Sequence, residues 1–495
     1  MEQQIDGSKW GLYLNDNPLG VIQALKTAFF PQQAAANAPV VTPGPAVTSA
    51  PAVTTQTPPS TATPVTSTPT PPSTTPAPTS TGPINYLPTN VTQSQGTAYQ
   101  PYVEQAGSQA NFPSNTTGPF ALSGKVTRYL AIGDWGRVGE GASLNQPQCL
   151  AATYGGNNFV QGGDQQIQTA LLADQVCALI GGCQGVISTG DNFYQCGVYP
   201  RDTTNRFFTD YQAIYQTAST PNLRNLTWYS TFGNHDIVID GSVEQQISFT
   251  TNATSGGKWY MPATYFSTIL PGVAGGPSIQ ATFVDENPFI IAYNATTQKY
   301  HSAYYVNHTN PTYIAQQQAF VSSTLAASNA TYNLVVGHYP IYGTATQYGK
   351  DANAYPGNYN SWANLLSSIY ANKVNAYING HDHTMSVGNP QQPNVTQPWN
   401  GYTSFLTTGA GSWGETSDTC GTPGSYLYSN GGDGGFFIIS ANATQIQYDY
   451  FVLGSLFSQC TITSFADKTR QPIASPNCAL GQPNSCCAAG KSSCY

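Results

Sequence analysis

Five times in this chain an apolar run ends in a glycine-led polar turn: RYLAIGDWG from Arg128, GVISTGDNFY from Gly185, TWYSTFGNHD from Thr227, YNLVVGHYP from Tyr332 and AYINGHDH from Ala376. A short apolar run closed by Gly and small polar residues is the pattern of a strand buried on both faces. Helical stretches lie among the runs, at 165–180, 205–217, 312–327 and 361–372. Strands alternating with helices need crossover connections, which predicts an α/β core. In such sheets the loops beyond the carboxyl ends of the strands carry the ligands. Two later segments, YTSFLTTGAGS from Tyr402 and GFFIISANATQIQYDYFVLG from Gly435, have hairpin character without intervening helices, and predict strands completing a second sheet.

The residues in the five turns are Asp134; Asp191 with Tyr194; Asn234 with His235; His338; and His381 with His383. Of the six histidines in the chain, four fall in these turns, and His308 lies inside the sequon Asn307-His308-Thr309, which places it on the surface. Two imidazoles as close as His381 and His383 can face two different cations, provided distant segments supply matching ligands. The donors divide into two octahedral-like sets, with Asp191 bridging them through its two carboxylate oxygens. Asp134, Tyr194 and His383 complete one set, whose hard anionic oxygens, a phenolate among them, suit Fe(III). Asn234, His338 and His381 complete the other, which suits Fe(II), Zn(II) or Mn(II). Taken singly, Asp134 also fits a turn aspartate and Asn234 an Asx-turn.

With 15 basic against 23 acidic residues the chain carries a net charge of −8. No basic run exists, so nucleic acid is not expected as a partner and an anionic membrane is a poor candidate. A protein this acidic needs bound metal to hold an anionic substrate. Ten cysteines, and sequons at Asn90, Asn115, Asn225, Asn252, Asn294, Asn307, Asn329, Asn394 and Asn442, predict a secreted or cell-surface glycoprotein. The first twenty residues nonetheless show no basic n-region and no apolar h-region, and no run is long and apolar enough to span a membrane. The organisation expected is an N-terminal segment of unknown role (1–33), a Thr/Pro/Ser-rich disordered linker and lead-in (34–124), a catalytic domain (125–457) and a Cys-rich tail (458–495). The tail has no repeated CxxC pair and no His, so disulfides rather than zinc should hold it. A cell-wall or matrix association through stalk or tail is a further expectation.

GDWG (133–136), GDNFY (190–194), GNHD (233–236), GHYP (337–340) and GHDH (380–383) resemble, in order, the motif set of the purple acid phosphatases. The likeness is greatest to the small, single-domain, tartrate-resistant branch of the metallophosphoesterase superfamily. KWYMPATYFS, ATFVDENP, TSFLTTGAGS and GGFFIISANATQIQYDY have similar counterparts, so the resemblance spans about residues 125–455. Most of the superfamily carries Asp-x-His in the first motif. Here Trp135 is followed by Gly136, and Tyr194, three residues after Asp191, takes the place of the missing imidazole. That exchange marks the iron-tyrosinate branch.

The resemblance implies a four-layer α/β/β/α sandwich with a dinuclear site at the strand ends. It implies an acid phosphatase that hydrolyses phosphate monoesters by attack of a metal-bound hydroxide, each motif residue taking the metal role given above. His235 corresponds to the family's histidine near the substrate phosphate and leaving group, and Asp236 orients it or its loop. One departure is plain: the small mammalian-type enzymes carry another active-site histidine shortly after GHYP, whereas this chain reads IYGTATQYGKD. Arg137, directly after GDWG, is expected as a solvated loop arginine, or as a contact to substrate phosphate. Two rival functions are a phosphodiesterase or nucleotide-directed member of the superfamily, and a non-catalytic cell-surface glycoprotein that keeps the fold.

Overall fold

The computed structural model describes residues 122–137, 163–200, 203–290, 296, 300–341, 359–388, 400–414, 426–431, 434–475 and 478. The expected segment 1–33, nearly all of the linker 34–124, and Cys486, Cys487 and Cys494 lie outside the described residues.

Two mixed sheets face each other. In the first, β1 (Thr127–Ile132), β2 (Gly185–Thr189), β3 (Thr227–Thr231) and β4 (Trp259–Tyr260) run parallel in that order. Beyond β1 the sheet continues antiparallel through β12 (Gly435–Ala441), β13 (Gln445–Val452), β14 (Cys460–Phe465) and β15 (Ile473–Ala474). In the second sheet β6 (Ile279–Phe283), β7 (Tyr332–Val336), β8 (Ala376–Asn379) and β10 (Ser404–Thr408) are parallel. Its edges are β5 (Phe266–Leu270) on one side, and β9 (Thr384–Gly388) with β11 (Tyr426–Gly431) on the other.

The apolar runs became strands for the expected reason. Val186 and Ile187 in β2, Leu334 to Val336 in β7, and Tyr377 and Ile378 in β8 are all fully buried, as strands covered on both faces must be. Polar groups bridge the two sheets. Tyr332 Oη donates to the Asn442 carbonyl (2.8 Å), Tyr450 Oη to that of Ser386 (3.0 Å) and Thr408 Oγ1 to that of Ala131 (3.2 Å). Outside the first sheet lies α1 (Gly163–Leu179), which buries Ala170, Ala173 and Val176. Outside the second lie α2 (Pro311–Ala326) and α3 (Tyr359–Ala371), burying Val321, Leu325, Leu365 and Ile369. The start of α2 follows from its residues: Asn310 caps it by accepting the Tyr313 N–H, and Pro311 occupies the first turn, where no N–H is missed. The result is the expected α/β/β/α arrangement.

Three sequence expectations shift. The hairpin β12–β13 joins the first sheet beside β1, not the second, because apolar periodicity marks a strand without saying which sheet edge accepts it. The tail boundary at 457 cuts through that same sheet, since β14 pairs along its whole length with β13. CTITSF has the β-branched run of a strand, which the high Cys content obscured. The disulfide Cys460–Cys478 then ties β14 to the residues beyond β15, and a second one, Cys177–Cys183, closes the end of α1. The helix expected over 205–217 runs as Thr203–Arg206, a π-helical turn Phe207–Gln212, and Ala213–Tyr215. The π turn brings Phe207 and Tyr211 inward, where Tyr211 packs with Trp228 and Trp259 around Trp135.

Candidate metal centre

All five glycine-led turns leave the carboxyl ends of parallel strands. β1, β2 and β3 bring Asp134, Asp191, Tyr194 and Asn234 from the first sheet; β7 and β8 bring His338, His381 and His383 from the second. The chain bends steeply to do this. Asp134 (φ 58°), Asp191 (φ 48°) and His381 (φ 69°) are three of the four non-glycine described residues with positive φ. Such conformations cost about 1–2 kcal/mol each, and persist where the surroundings hold them. Gly190 (φ 96°) has a different reason: a Cβ there would lie 2.7 Å from His338 Nδ1 and 2.8 Å from the Gly233 nitrogen.

The side chains gather around two points. At the first, the Tyr194 hydroxyl lies 2.9 Å from Asp134 Oδ1, 3.0 Å from Asp191 Oδ2 and 2.9 Å from His383 Nε2. At the second, Asn234 Oδ1 lies 3.0 Å from His338 Nε2 and 2.8 Å from His381 Nδ1. Asp191 reaches both, because its other oxygen, Oδ1, is 3.5 Å from His338 Nε2. Among the described residues Asp134, Asp191 and His338 place donor atoms within 4.8 Å of one another, all buried. The backbone fixes the carboxylates: the His381 N–H donates to Asp134 Oδ2 (3.0 Å) and the His235 N–H to Asp191 Oδ1 (2.8 Å).

This donor set fits cations. One hydroxyl proton on Tyr194 cannot serve two carboxylates and an imidazole at once, whereas a cation there would meet a lone pair from each. His338 Nδ1–H donates to the Thr189 carbonyl at 2.9 Å, which leaves Nε2, beside the Asn234 oxygen, as the ring atom free to meet a cation once its proton is gone. In the metal-free protein the charges are strained accordingly. Burial pushes the Asp134 carboxyl up. Burial also works on Asp191, but His338, His235 and His381 outweigh it and hold that carboxyl below its usual range. Burial, reinforced by Asp134 and Asp191, drives the Tyr194 phenol far up. Burial pulls His338 down, yet the Asp191 and Asp134 carboxylates lift it to about 10. A bound cation reverses the logic for the phenol and favours its anion.

The residues beside this cluster divide differently. His235 Nδ1–H donates to the Gln195 carbonyl at 2.6 Å, so Nε2 turns toward the cluster, 4.0 Å from Asp191 Oδ2. Asp236 holds the loops. Its carboxylate accepts the N–H groups of Asn192 (3.0 Å), Phe193 (3.2 Å) and Gly233 (2.9 Å) and the Gln246 amide (2.9 Å), joining the second turn to the third. His308 is half-buried rather than surface-exposed, stacked on Tyr304 at 3.9 Å.

Arg137 is not a solvated arginine. Its guanidinium lies 3.7 Å above the Tyr194 ring centre. The segment after GHYP (342–358) lies outside the described residues. Two neighbours were missed by sequence reasoning. Tyr300, whose hydroxyl is 3.2 Å from His235 Nε2, stands in a Tyr-rich stretch without any signal. Glu286 accepts the His338 N–H at 2.6 Å and the Tyr377 hydroxyl, and burial pushes it up to about 7. It follows the apolar run of β6 as the ligands follow theirs, but no glycine leads its turn.

Two face-to-face mixed sheets with carboxylates and imidazoles buried together at their strand ends make up the fold of a metallophosphoesterase. Comparison with known proteins agrees. A family model for calcineurin-like phosphoesterases matches residues 127–385, more than half of the chain, and the protein belongs to that family. It is similar to tartrate-resistant acid phosphatase type 5 of Sus scrofa, 26% identical over 292 residues that cover 59% of this chain and 72% of that protein. Purple acid phosphatase 3 of Arabidopsis thaliana is 29% identical over 294 residues, 59% of this chain and 65% of that protein. Among solved structures, GAP50, the anchor in the inner membrane complex of Plasmodium, superposes with a TM-score of 0.49 at 17% identity, over 69% of this chain and 89% of that one.

Proposed function

We propose that the protein is an acid phosphatase acting on phosphate monoesters at a dinuclear centre. In this reading Asp134, Asp191, Tyr194 and His383 hold Fe(III), and Asp191, Asn234, His338 and His381 hold Fe(II), Zn(II) or Mn(II). The observation that carries it is the Tyr194 hydroxyl, within 3.0 Å of two buried carboxylates and an imidazole. A phenolate flanked by carboxylates is a hard anionic donor set that prefers a trivalent ion. The acid phosphatases among its relatives support a phosphate-ester substrate.

When bound, the cations supply Lewis acidity toward the phosphoryl oxygens and acidify coordinated water. The protein's own part is positional. Asp191 turns one oxygen toward each ligand set, fixing the spacing between them. His235, anchored through Nδ1, presents Nε2 beside Asp191, where it can hold a proton at the oxygen of the departing alcohol. Asp236 acts at one remove, keeping the loops of Asp191 and Asn234 in register. Secretion or display at the cell surface accords with the disulfides at Cys177–Cys183 and Cys460–Cys478, and no described helix is long and apolar enough to cross a membrane.

Metal analysis and a visible spectrum of the purified protein test this reading, with turnover of a monoester and a diester compared at pH 5. Iron together with a phenolate-to-iron charge-transfer band, and preference for the monoester, is the expected result. Iron-free, colourless protein would sink the Fe(III) assignment. Faster diester turnover would make the protein a phosphodiesterase, and full metal without turnover would leave a non-catalytic member of the family.

A further inference from the structure

Arg137 is fixed at both ends. Its backbone N–H donates to Gln166 Oε1 at 2.9 Å, and its side-chain Nε donates to Ser412 Oγ at 3.0 Å. The Ser412 hydroxyl in turn donates to the Asp134 carbonyl at 2.5 Å, so the arginine and the first glycine-led turn are held as one unit. Between these anchors the guanidinium lies over the Tyr194 ring, its carbon 3.7 Å from the ring centre. That is well inside the range of a cation–π contact, and guanidinium keeps its charge at every pH of interest. The aromatic partner is not an ordinary core ring. Its oxygen stands among Asp134, Asp191 and His383.

We propose that Arg137 tunes the metal held by Tyr194, its charge over the ring setting the colour and the reduction potential of a ferric ion at that oxygen. The inference rests on the Fe(III)–Tyr194 reading above and goes beyond it. A positive charge against the ring lowers the energy of the phenolate electrons. It lies nearer the ring than any ion bound beyond the phenol oxygen, so the donor level falls further than the acceptor level. The charge-transfer energy therefore rises. The same charge disfavours the higher oxidation state of the iron, which raises the potential. Arg137 acts through Tyr194 and is a positioning residue, not a catalytic one.

The test uses iron-loaded protein and compares Arg137→Met, Arg137→Lys and Ser412→Ala with the parent. In Arg137→Met the visible band moves to longer wavelength and the potential falls, with iron per chain unchanged. Arg137→Lys keeps the charge without the guanidinium and its Ser412 anchor and lies between. Ser412→Ala frees the Nε anchor and gives a smaller shift in the same direction. A fully iron-loaded Arg137→Met protein whose band has not moved overturns the proposal. So does a raised KM for a phosphate monoester with an unmoved band, since Arg137 would then be a substrate contact. Loss of iron from both arginine variants overturns it too, by making the role structural. Parent protein that loads iron but has no band defeats the Tyr194 assignment itself, before any variant is made.

Discussion

Adding one methyl group at Gly190 tests the packing of the metal centre without changing any ligand. Two costs add in Gly190→Ala. The backbone conformation, φ 96°, is one that alanine adopts at about 1–2 kcal/mol. The new Cβ also falls 2.7 Å from His338 Nδ1 and 2.8 Å from both the Gly233 nitrogen and the Phe232 carbonyl carbon. Two of these three neighbours are backbone and cannot swing aside, so an overpacking cost of about 1–3 kcal/mol is expected as well. Gly181→Ala supplies the control. Gly181 also has a positive φ, 83°, but nothing lies within 4 Å of its Cβ position. The pair of variants therefore isolates the contact. In urea denaturation of the metal-free protein Gly181→Ala should lose about 1–2 kcal/mol and Gly190→Ala about 2–5 kcal/mol. Only Gly190→Ala should bind metal less tightly, because relief of the contact displaces His338 or the Gly233 turn. Equal destabilisation of both variants, with equal metal content, would refute the close approach on which the whole geometry of the centre depends.

Three other outcomes follow from the same structure. His235→Ala should lower turnover of a phosphate monoester by roughly 10²–10⁴-fold while the visible band stays, and bleaching would place the residue on the metal instead. Metal-free protein should lose stability as pH rises from about 6.5 toward 10: the folded state holds the His338 proton more tightly than the unfolded chain, so that contribution is complete below about pH 6.5 and disappears as His338 titrates at about 10. Urea midpoints between about pH 8 and 10, above the titration of Glu286 at about 7, measure it, with His338→Gln as the control that lacks the slope; a midpoint equally insensitive to pH in both proteins would contradict the charge arrangement. Asn225, Asn252 and Asn329 are exposed and precede β3, β4 and β7, at the end of the sandwich away from the metal centre. Glycopeptide mapping of protein from a secretory host should find these three occupied, and enzymatic deglycosylation should leave turnover unchanged.

What the sequence disclosed about this fold was local. Each ligand stands directly after a buried strand, and a buried strand followed by Gly is visible in a single stretch of chain, as AYINGHDH illustrates. The convergence of those turns followed from strand order, which parallel crossovers constrain. Groups that act from the side left no such trace. Tyr300 reaches His235 across 65 residues. The contact of Arg137 over Tyr194 joins two turns whose separate sequences say nothing of their mutual placement. Sheet membership was equally hidden: β12 beside β1 is a choice of edge, and it is made by packing between segments more than 300 residues apart.

Each proposed cation would take ligands from both sheets, and even the three-residue core does so, with Asp134 and Asp191 on one side and His338 on the other. Metal at that point would be a bolt through the sandwich. The sheets could not then slide or part at their carboxyl ends without breaking coordination, so unfolding of one would be mechanically coupled to unfolding of the other. A ligand that binds only the joined state adds its binding energy to the folding equilibrium. It also raises the barrier to the first separation, which makes resistance to heat and proteolysis a matter of how slowly the ions leave. Cations placed for phosphoryl chemistry would therefore also serve as the fastener of the fold, and chelation would loosen the molecule as well as silence it.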